Sequence, residues 1–281
     1  MVVNLHVTER CNFRCAYCFG QWGLLAEGAR ESSAFANTAE ATGLMTSLWS
    51  KFCPDRAVRF NFVGGEPALL PNIADLFAVA RSLGARTSYV TNGLMLRRFD
   101  AAWTVDNVDV VGVSIDSALA SANQLIGRMG ANGKTFHLDE VTTAIQRIRK
   151  SGSPSVKINT VVSAWNVGED FTGIIRGLEP DRWKVLKMLP VYTDAGAIGD
   201  ATFDAFLDRH AALKQIMVPE DNDQMSGSYA MIDPKGRFFW FDGEAGSGYA
   251  YSAPIPKVGV DAAWDSVPFD EAKFGERYVR T

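Results

Sequence analysis

Three of the four cysteines in this 281-residue chain lie within eight residues, in the spacing CxxxCxxC. Cys11, Cys15 and Cys18 follow directly after a β-rich run over residues 2–8. Clustered thiols in a cysteine-poor chain indicate a metal site rather than a disulfide framework. Three thiolates can hold three irons of a 4Fe–4S cluster and leave the fourth iron open to a ligand.

A zinc ion is the alternative occupant, and a closed zinc shell needs a fourth ligand. His6, on the preceding strand, is the local candidate for that ligand. The remaining cysteine, Cys53, stands alone after a predicted helix, and we interpret it as a buried structural thiol. Free clustered thiols also favour a reducing, cytoplasmic location.

Glycines and polar residues follow the next predicted strands. In chain order they are Gly64, Gly65, Glu66, Asn92 and Ser114. Ligands of parallel α/β proteins bind beyond the carboxyl ends of the strands, and glycine allows the backbone to approach them closely. We therefore expect these residues to surround one cofactor site together with the cysteines.

The elements that position these residues follow from an alternation of β-rich and helical segments. The predicted strands are residues 2–8, 59–63, 86–91, 108–115, 155–162 and 183–191, and the predicted helices are residues 37–51, 71–83, 138–151, 167–178 and 202–215. Six βα units in order imply a parallel sheet with right-handed crossovers, either doubly wound or closed towards a barrel. Beyond residue 217 we expect a hairpin of residues 228–233 and 237–241, followed by a loosely structured tail.

Three of the predicted strands carry cations and amides on one face only. The residues that share a face are Arg59 with Asn61, Lys157 with Asn159, and Arg182 with Lys184. Strands covered on both faces read as continuous apolar runs, whereas side chains here alternate between apolar and polar. We expect the apolar faces to pack under helices and the polar faces to line a shared, wet cavity.

The cysteine loop, with Tyr17 before its last cysteine and Gly-Gly-Glu-Pro after the second strand, resembles the radical S-adenosylmethionine (SAM) superfamily. The segments NQLIGR (123–128), KIN (157–159), RWK (182–184) and 222–229 narrow the resemblance to the viperin family, in its prokaryotic form. This resemblance implies an α/β fold, a partial (βα)6 TIM-like barrel over residues 1–217. Residues 218–281 are then a C-terminal extension that packs on the barrel and closes a nucleotide site.

The resemblance also implies the cofactors and their contacts. The open iron of the 4Fe–4S cluster binds SAM, and an electron from a flavodoxin- or ferredoxin-type donor cleaves it to a 5′-deoxyadenosyl radical. Contacts to SAM fall on Tyr17, Gly64, Gly65, Glu66, Asn92, Ser114 and Arg128, the last of which pairs with the SAM carboxylate.

The implied substrate is a ribonucleoside triphosphate (CTP, UTP or GTP). The radical removes the 4′ hydrogen, and the 3′ hydroxyl then leaves as water. One further electron and a proton complete a 3′-deoxy-3′,4′-didehydro nucleotide that terminates viral polymerases, an antiviral defence. Contacts to the substrate fall on Arg59 (a lysine in the family), Asn61, Lys157, Asn159, Arg182 and Lys184. Tyr229 matches a tyrosine near the family's active site and is a candidate donor of the last hydrogen or proton.

Two alternatives remain from the sequence. A radical SAM enzyme acting on peptides is one, although many such enzymes bind further clusters through C-terminal cysteines and this chain has none after Cys53. A non-catalytic interaction protein is the other, although it would need neither the three cysteines nor the cations.

Composition excludes two classes of partner. The net charge of −4 argues against a nucleic-acid surface, which needs a basic stripe. No apolar run approaches the roughly 18–20 residues of a membrane span, and the first residues lack the features of a signal peptide. We expect a cytoplasmic protein that binds neither nucleic acid nor membrane.

Overall fold

The computed structural model describes residues 1–18, 20, 33–96, 101–130, 138–152, 154–241, 243 and 248–279. Its strands are β1 (Val2–His6), β2 (Arg59–Val63), β3 (Arg86–Thr91), β4 (Val110–Ser114), β5 (Ser155–Val162), β6 (Arg182–Lys187), β7 (Met217–Glu220), β8 (Ala230–Ile232), β9 (Phe239–Phe241) and β10 (Tyr249–Tyr251). Its α-helices are α1 (Thr38–Phe52), α2 (Ile73–Ser82), α3 (Ala101–Asn107), α4 (Ala120–Ile126), α5 (Leu138–Lys150), α6 (Thr172–Leu178), α7 (Asp200–Arg209), α8 (Asn222–Met225), α9 (Ile255–Val258), α10 (Val260–Trp264) and α11 (Glu271–Val279). Among these described helices, none is both long and apolar enough to cross a membrane.

Eight strands form one parallel sheet in the order β7-β6-β5-β4-β3-β2-β1-β8. From β1 to β7 the spatial order follows the chain order, whereas a doubly wound sheet reverses direction at a switch point. The predicted partial barrel is therefore confirmed, with β7 and β8 as the two edges of the curled sheet. The edge strand β7 and the short helices α3 and α4 were absent from the sequence prediction, and the residues of β8 were predicted as a hairpin strand rather than as an edge of the main sheet.

The predicted hairpin of residues 228–233 and 237–241 is confirmed only next to its turn, where Ile232 and Phe238 form a single antiparallel bridge and the Asp233 N–H donates to the Arg237 carbonyl at 2.9 Å. The turn between them is present, with the Gly236 N–H 3.0 Å from the Asp233 carbonyl oxygen. However, β8 pairs in parallel with β1, and β9 pairs antiparallel with β10. Ala230 and Ile232 are fully buried, so pairing with β1 both covers the edge of the sheet and removes these side chains from water.

The prediction of a loosely structured tail is wrong, because α9, α10 and α11 occupy much of it. Trp264 anchors this segment, with its ring centroid 5.1 Å from that of Phe52 in α1 and 5.0 Å from those of Phe238 and Phe269. Such aromatic pairs stabilise packing beyond their buried area. The segment 218–281 thus adds β8 to the main sheet as well as packing against its helices.

The alternation of faces along the strands is as predicted. Phe60 and Phe62 of β2 and Trp183 of β6 are fully buried on the helix-covered side. The Trp183 indole N–H also donates to Thr160 Oγ1 at 3.0 Å. The opposite faces of β2, β5 and β6 turn into the curl of the sheet, where the site lies. Cys53, predicted to be buried, is half-buried and packs against the edge of the core.

Candidate active site

A cavity of about 340 Å³ lies inside the curled sheet and reaches the cysteine loop. Most of the predicted site residues line it. At the cysteine loop and strand ends they are Cys11, Cys15, Tyr17, Cys18, Gly64, Gly65, Asn92, Ser114 and Arg128. Along the inner strand faces they are Arg59, Asn61, Lys157, Asn159 and Lys184, with Tyr229 from the C-terminal segment. Glu66 and Arg182 do not line the cavity.

The cysteine loop is held on one side by the segment after β2. The Gly65 N–H donates to the Thr8 carbonyl and the Glu66 N–H to the Arg10 carbonyl, each at 2.8 Å. A Cβ atom at Gly65 would lie 2.2 Å from the Arg10 carbonyl oxygen. Only glycine allows this approach, so Gly65 positions the loop as well as bordering the cavity.

Gly127 holds the same loop on the other side. It ends α4 with a φ of 86°, in the left-handed region. Its carbonyl accepts from the Arg14 N–H at 3.0 Å, and a Cβ there would lie 2.1 Å from the Arg14 carbonyl oxygen. The Ala16 N–H donates to the Ile126 carbonyl at 2.8 Å. The loop is therefore clamped between two glycine-containing segments that are far apart in the chain.

Glu66 is a support for the cavity rather than part of its wall. It is fully buried and accepts from Thr91 Oγ1 and the Asn92 N–H, each at 2.9 Å. Burial raises its pKa to about 7. These bonds turn the carboxylate towards the end of β3, and the contact between Glu66 and SAM stays a prediction. The same bonds fix Asn92, whose amide Nδ2 donates to Asn12 Oδ1 at 2.6 Å.

Asp116, just beyond β4, organises the wall next to the cysteines. Its Oδ2 lies 2.6 Å from Arg128 Nη1 and accepts from the Tyr17 hydroxyl at 2.7 Å, while Oδ1 accepts from the Val161 N–H at 2.8 Å. Both charged side chains of the pair are only 3% exposed. Arg128 Nη2 also donates to the Ser114 carbonyl at 2.6 Å. The sequence predicted a contact between Arg128 and SAM but did not predict that Arg128 pairs with Asp116.

The cations at the inner end of the cavity are not equivalent. Lys184 Nζ lies 2.8 Å from Glu220 Oε1 and also donates to the Tyr229 hydroxyl. Lys157 makes no hydrogen bond or ion pair with another residue that the structure describes, and its Cε lies 3.2 Å from where a Cβ added at Gly112 would be. Burial, with Lys184 and Arg59 nearby, lowers the pKa of Lys157 well below its usual range.

Two charged residues of this region had no role in the prediction. Glu220 could have been found only by knowing that β7 lies beside β6. Lys187, at the end of β6, lines the cavity and pairs with Asp200, at the start of α7. Lys187 lies in the middle of the predicted strand 183–191 and on the face opposite to Lys184, so the alternation of side chains predicts that it points away from the cavity.

Comparison with known proteins assigns the family. Residues 5–171, more than half of the chain, match the model of the Radical SAM superfamily. The chain is 36% identical to the S-adenosylmethionine-dependent nucleotide dehydratase of Psychrobacter lutiphocae, over 100% of this chain and 95% of that protein. The chain belongs to the nucleotide dehydratase (viperin) family of the radical SAM superfamily.

A second viperin relative supports this assignment, and a solved structure supports the fold. The nucleotide dehydratase of Pseudoalteromonas ulvae is 33% identical over 99% of this chain and 92% of that protein. The structure of anSMEcpe with bound AdoMet gives a TM-score of 0.67 at 16% identity, covering 98% of this chain and 82% of that chain. At this identity the structural likeness shows the fold alone.

The cysteines of this viperin-family enzyme fit the 4Fe–4S cluster that the superfamily uses. All three line one cavity, and the Phe13 N–H donates to Cys11 Sγ at 3.4 Å. Burial raises the pKa of Cys15 to about 12, so cluster assembly must displace its proton. Within the described ranges no three His, Cys, Asp or Glu side chains converge around a single metal ion. A four-iron cluster is larger than one ion and separates its three thiolates accordingly.

Proposed function

We propose that this enzyme converts CTP, UTP or GTP to the 3′-deoxy-3′,4′-didehydro nucleotide, as a cytoplasmic antiviral defence. One observation carries the proposal. Lys157 and Asn159 face the same cavity as the three cysteines. Asn159 is 9% exposed and its Oδ1 lacks a hydrogen-bond partner among the described residues. A buried acceptor beside a half-buried lysine suits a ribose hydroxyl next to phosphates.

The cofactors are assigned to the loop end of the cavity. When bound there, the cluster and SAM would supply the radical that takes the 4′ hydrogen. Cys11, Cys15 and Cys18 would hold the cluster. Contacts to SAM are proposed for Tyr17, Gly64, Gly65, Asn92, Ser114 and Arg128. Asp116 fixes the guanidinium of Arg128, so that arginine would meet the SAM carboxylate in a preset orientation.

The substrate is assigned to the inner strand faces. Arg59, Asn61, Lys157, Asn159 and Lys184 would bind the triphosphate and ribose, and Arg182 would add charge from the start of β6. Anchoring the phosphates sets the distance between the 4′ hydrogen and the loop end of the cavity. Residues 218–281 would close the site, since Met225, Tyr229 and Met231 line the cavity. The electron donor is proposed to be a flavodoxin or ferredoxin.

The test of this function is an anaerobic assay of the reconstituted enzyme with SAM and dithionite. Each nucleoside triphosphate is supplied with deuterium at the ribose 4′ carbon. We expect at least one of CTP, UTP and GTP to stimulate 5′-deoxyadenosine formation and to transfer deuterium into it. Formation of 5′-deoxyadenosine that no nucleoside triphosphate stimulates would overturn the proposal.

Lys157 gives a prediction about pH. Burial lowers the pKa of Lys157 in the free enzyme, and a bound triphosphate should raise it by favouring the ammonium form. Nucleotide binding should therefore take up a proton, and affinity should fall as pH rises above the lowered pKa. Calorimetry in buffers of different ionisation enthalpy measures this uptake.

The control is Lys157→Met, which should bind nucleotide about tenfold more weakly and lose most of the proton uptake. The exposed Lys214→Met should match the wild type. Equal proton uptake by the wild type and Lys157→Met would show that another group, such as the nucleotide phosphate, is responsible.

A further inference from the structure

Glu220 places a buried carboxylate against the cation-rich end of the cavity. It is 3% exposed, and its Oε2 accepts from the Tyr229 hydroxyl at 2.5 Å while its Oε1 lies 2.8 Å from Lys184 Nζ. Lys184 donates in turn to the Tyr229 hydroxyl, and its Nζ lies 4.9 Å from the centre of the Tyr229 ring. A negative charge beside an anion site weakens anion binding. We therefore expect the Glu220 carboxylate to have a role that offsets this cost.

The sheet topology shows what these three side chains join. Glu220 ends β7, at one edge of the curled sheet, and Tyr229 directly precedes β8, at the other edge. The chain between them is fixed by a capping box in which Asp221 and Gln224 bond reciprocally. Glu220 therefore connects the two edges through Tyr229. Glu220 itself does not line the cavity, whereas Lys184 and Tyr229 do.

We propose that Glu220 is a positioning residue that holds the Tyr229 phenol in the cavity and withholds part of the Lys184 charge from the triphosphate. This inference rests on the proposed function, since it needs a triphosphate at Lys184. Glu220 acts through its two partners and touches neither substrate nor cofactor. The two oxygens of the Glu220 carboxylate accept from both donors at once. In a glutamine side chain, an NH₂ group that cannot accept replaces one of these two oxygens.

The proposal predicts that loss of the Glu220 charge has opposite effects on nucleotide binding and on product formation, which a general structural defect would not have. Removing the negative charge should strengthen nucleotide binding, because Lys184 is then free to pair with phosphate. The same change should reduce product formation, because the phenol loses its charged acceptor and its fixed position. A misfolded site would instead weaken binding and turnover together.

Glu220→Gln in the reconstituted holoenzyme tests both effects. The dissociation constant is measured without reductant, and the ratio of didehydro nucleotide to 5′-deoxyadenosine is measured in turnover. We expect binding about tenfold tighter, the size of one partly screened charge interaction. We expect the product ratio to fall by about fivefold or more, with unchanged cluster absorbance.

Three further variants separate the two roles. Tyr229→Phe keeps the Lys184–Glu220 pair and should lower the product ratio without tightening binding. Asp223→Asn removes an exposed acid from the same connection, where it pairs with Lys273, and should behave as wild type. Glu220→Asp keeps the charge but withdraws it by one methylene, so it should lower the product ratio at nearly unchanged affinity.

Wild-type affinity or a wild-type product ratio in Glu220→Gln overturns the inference. Should that variant fail to fold, a wild-type product ratio in Glu220→Asp overturns it instead. Failure of the proposed function is distinct, because it appears in the wild-type enzyme as 5′-deoxyadenosine formation that no nucleotide stimulates.

Discussion

Gly65→Ala is expected to abolish incorporation of the cluster. The added Cβ would lie 2.2 Å from the Arg10 carbonyl oxygen and 2.9 Å from that of Glu9. Both are backbone atoms, so no side-chain rotation relieves the clash and the two segments must separate. Separation breaks the bond from the Gly65 N–H to the Thr8 carbonyl and shifts the loop that carries Cys11. Visible absorbance and iron content after anaerobic reconstitution measure the loss.

The same substitution should lower the free energy of unfolding by about 3 kcal/mol, as in other overpacked sites. Gly43→Ala is the matched control, because Gly43 lies inside α1 with no atom within 4 Å of the added Cβ. It should raise the free energy of unfolding by up to about 1 kcal/mol and leave the cluster intact. Full iron content in Gly65→Ala would show that the loop does not need this close packing.

Asp116→Asn should destabilise the cavity wall beside the cysteines. It leaves the Arg128 guanidinium buried without its counter-charge, a loss of about 3–5 kcal/mol of stability. In either orientation the NH₂ group of the new amide faces a donor, which is the Val161 N–H in one case and the Tyr17 hydroxyl with Arg128 in the other. SAM-dependent formation of 5′-deoxyadenosine should fall at least about tenfold, since the wall beside the cysteines loses its orientation.

Asp261→Asn provides the comparison for this prediction. Asp261 is 78% exposed and pairs with Lys51 at 2.5 Å on the surface. Losing that pair should cost less than about 1 kcal/mol, because solvent screens exposed charges. Chemical denaturation of the two variants measures the difference. A similar small change in both would mean that the buried Asp116–Arg128 pair contributes little to the fold.

Local patterns carried most of the prediction from sequence. The spacing of Cys11, Cys15 and Cys18 and the two-residue period of the inner strands depend only on neighbouring residues. Alternation placed Lys157 and Asn159 on the inner face, and both line the cavity. Arg182 shares that face by parity but lies at the start of β6, too far along the strand to reach the cavity wall.

The features missed by prediction depend on residues distant in the chain. The role of Glu220 depends on its contacts with the neighbouring strand β6 and with Tyr229 at the opposite edge of the sheet. Asp116 and Arg128 pair inside the protein, whereas a lone arginine in a motif suggests a ligand. The direction of Glu66 was decided by bonds from Thr91 and Asn92 on the neighbouring strand. No periodicity in the sequence encodes such contacts.

The pairing of β1 with β8 sets an order for the biogenesis of the enzyme. Asn4 Nδ2 donates to the Ala230 carbonyl across a separation of 226 residues. The strand that leads into the cysteine loop therefore keeps one exposed hydrogen-bonding edge until most of the chain has left the ribosome. Pairing between strands that are distant in the sequence slows folding, and until it occurs the unpaired edge of β1 is prone to aggregation. A nascent chain stalled before residue 230 should accordingly depend on chaperones in a way that the finished enzyme does not.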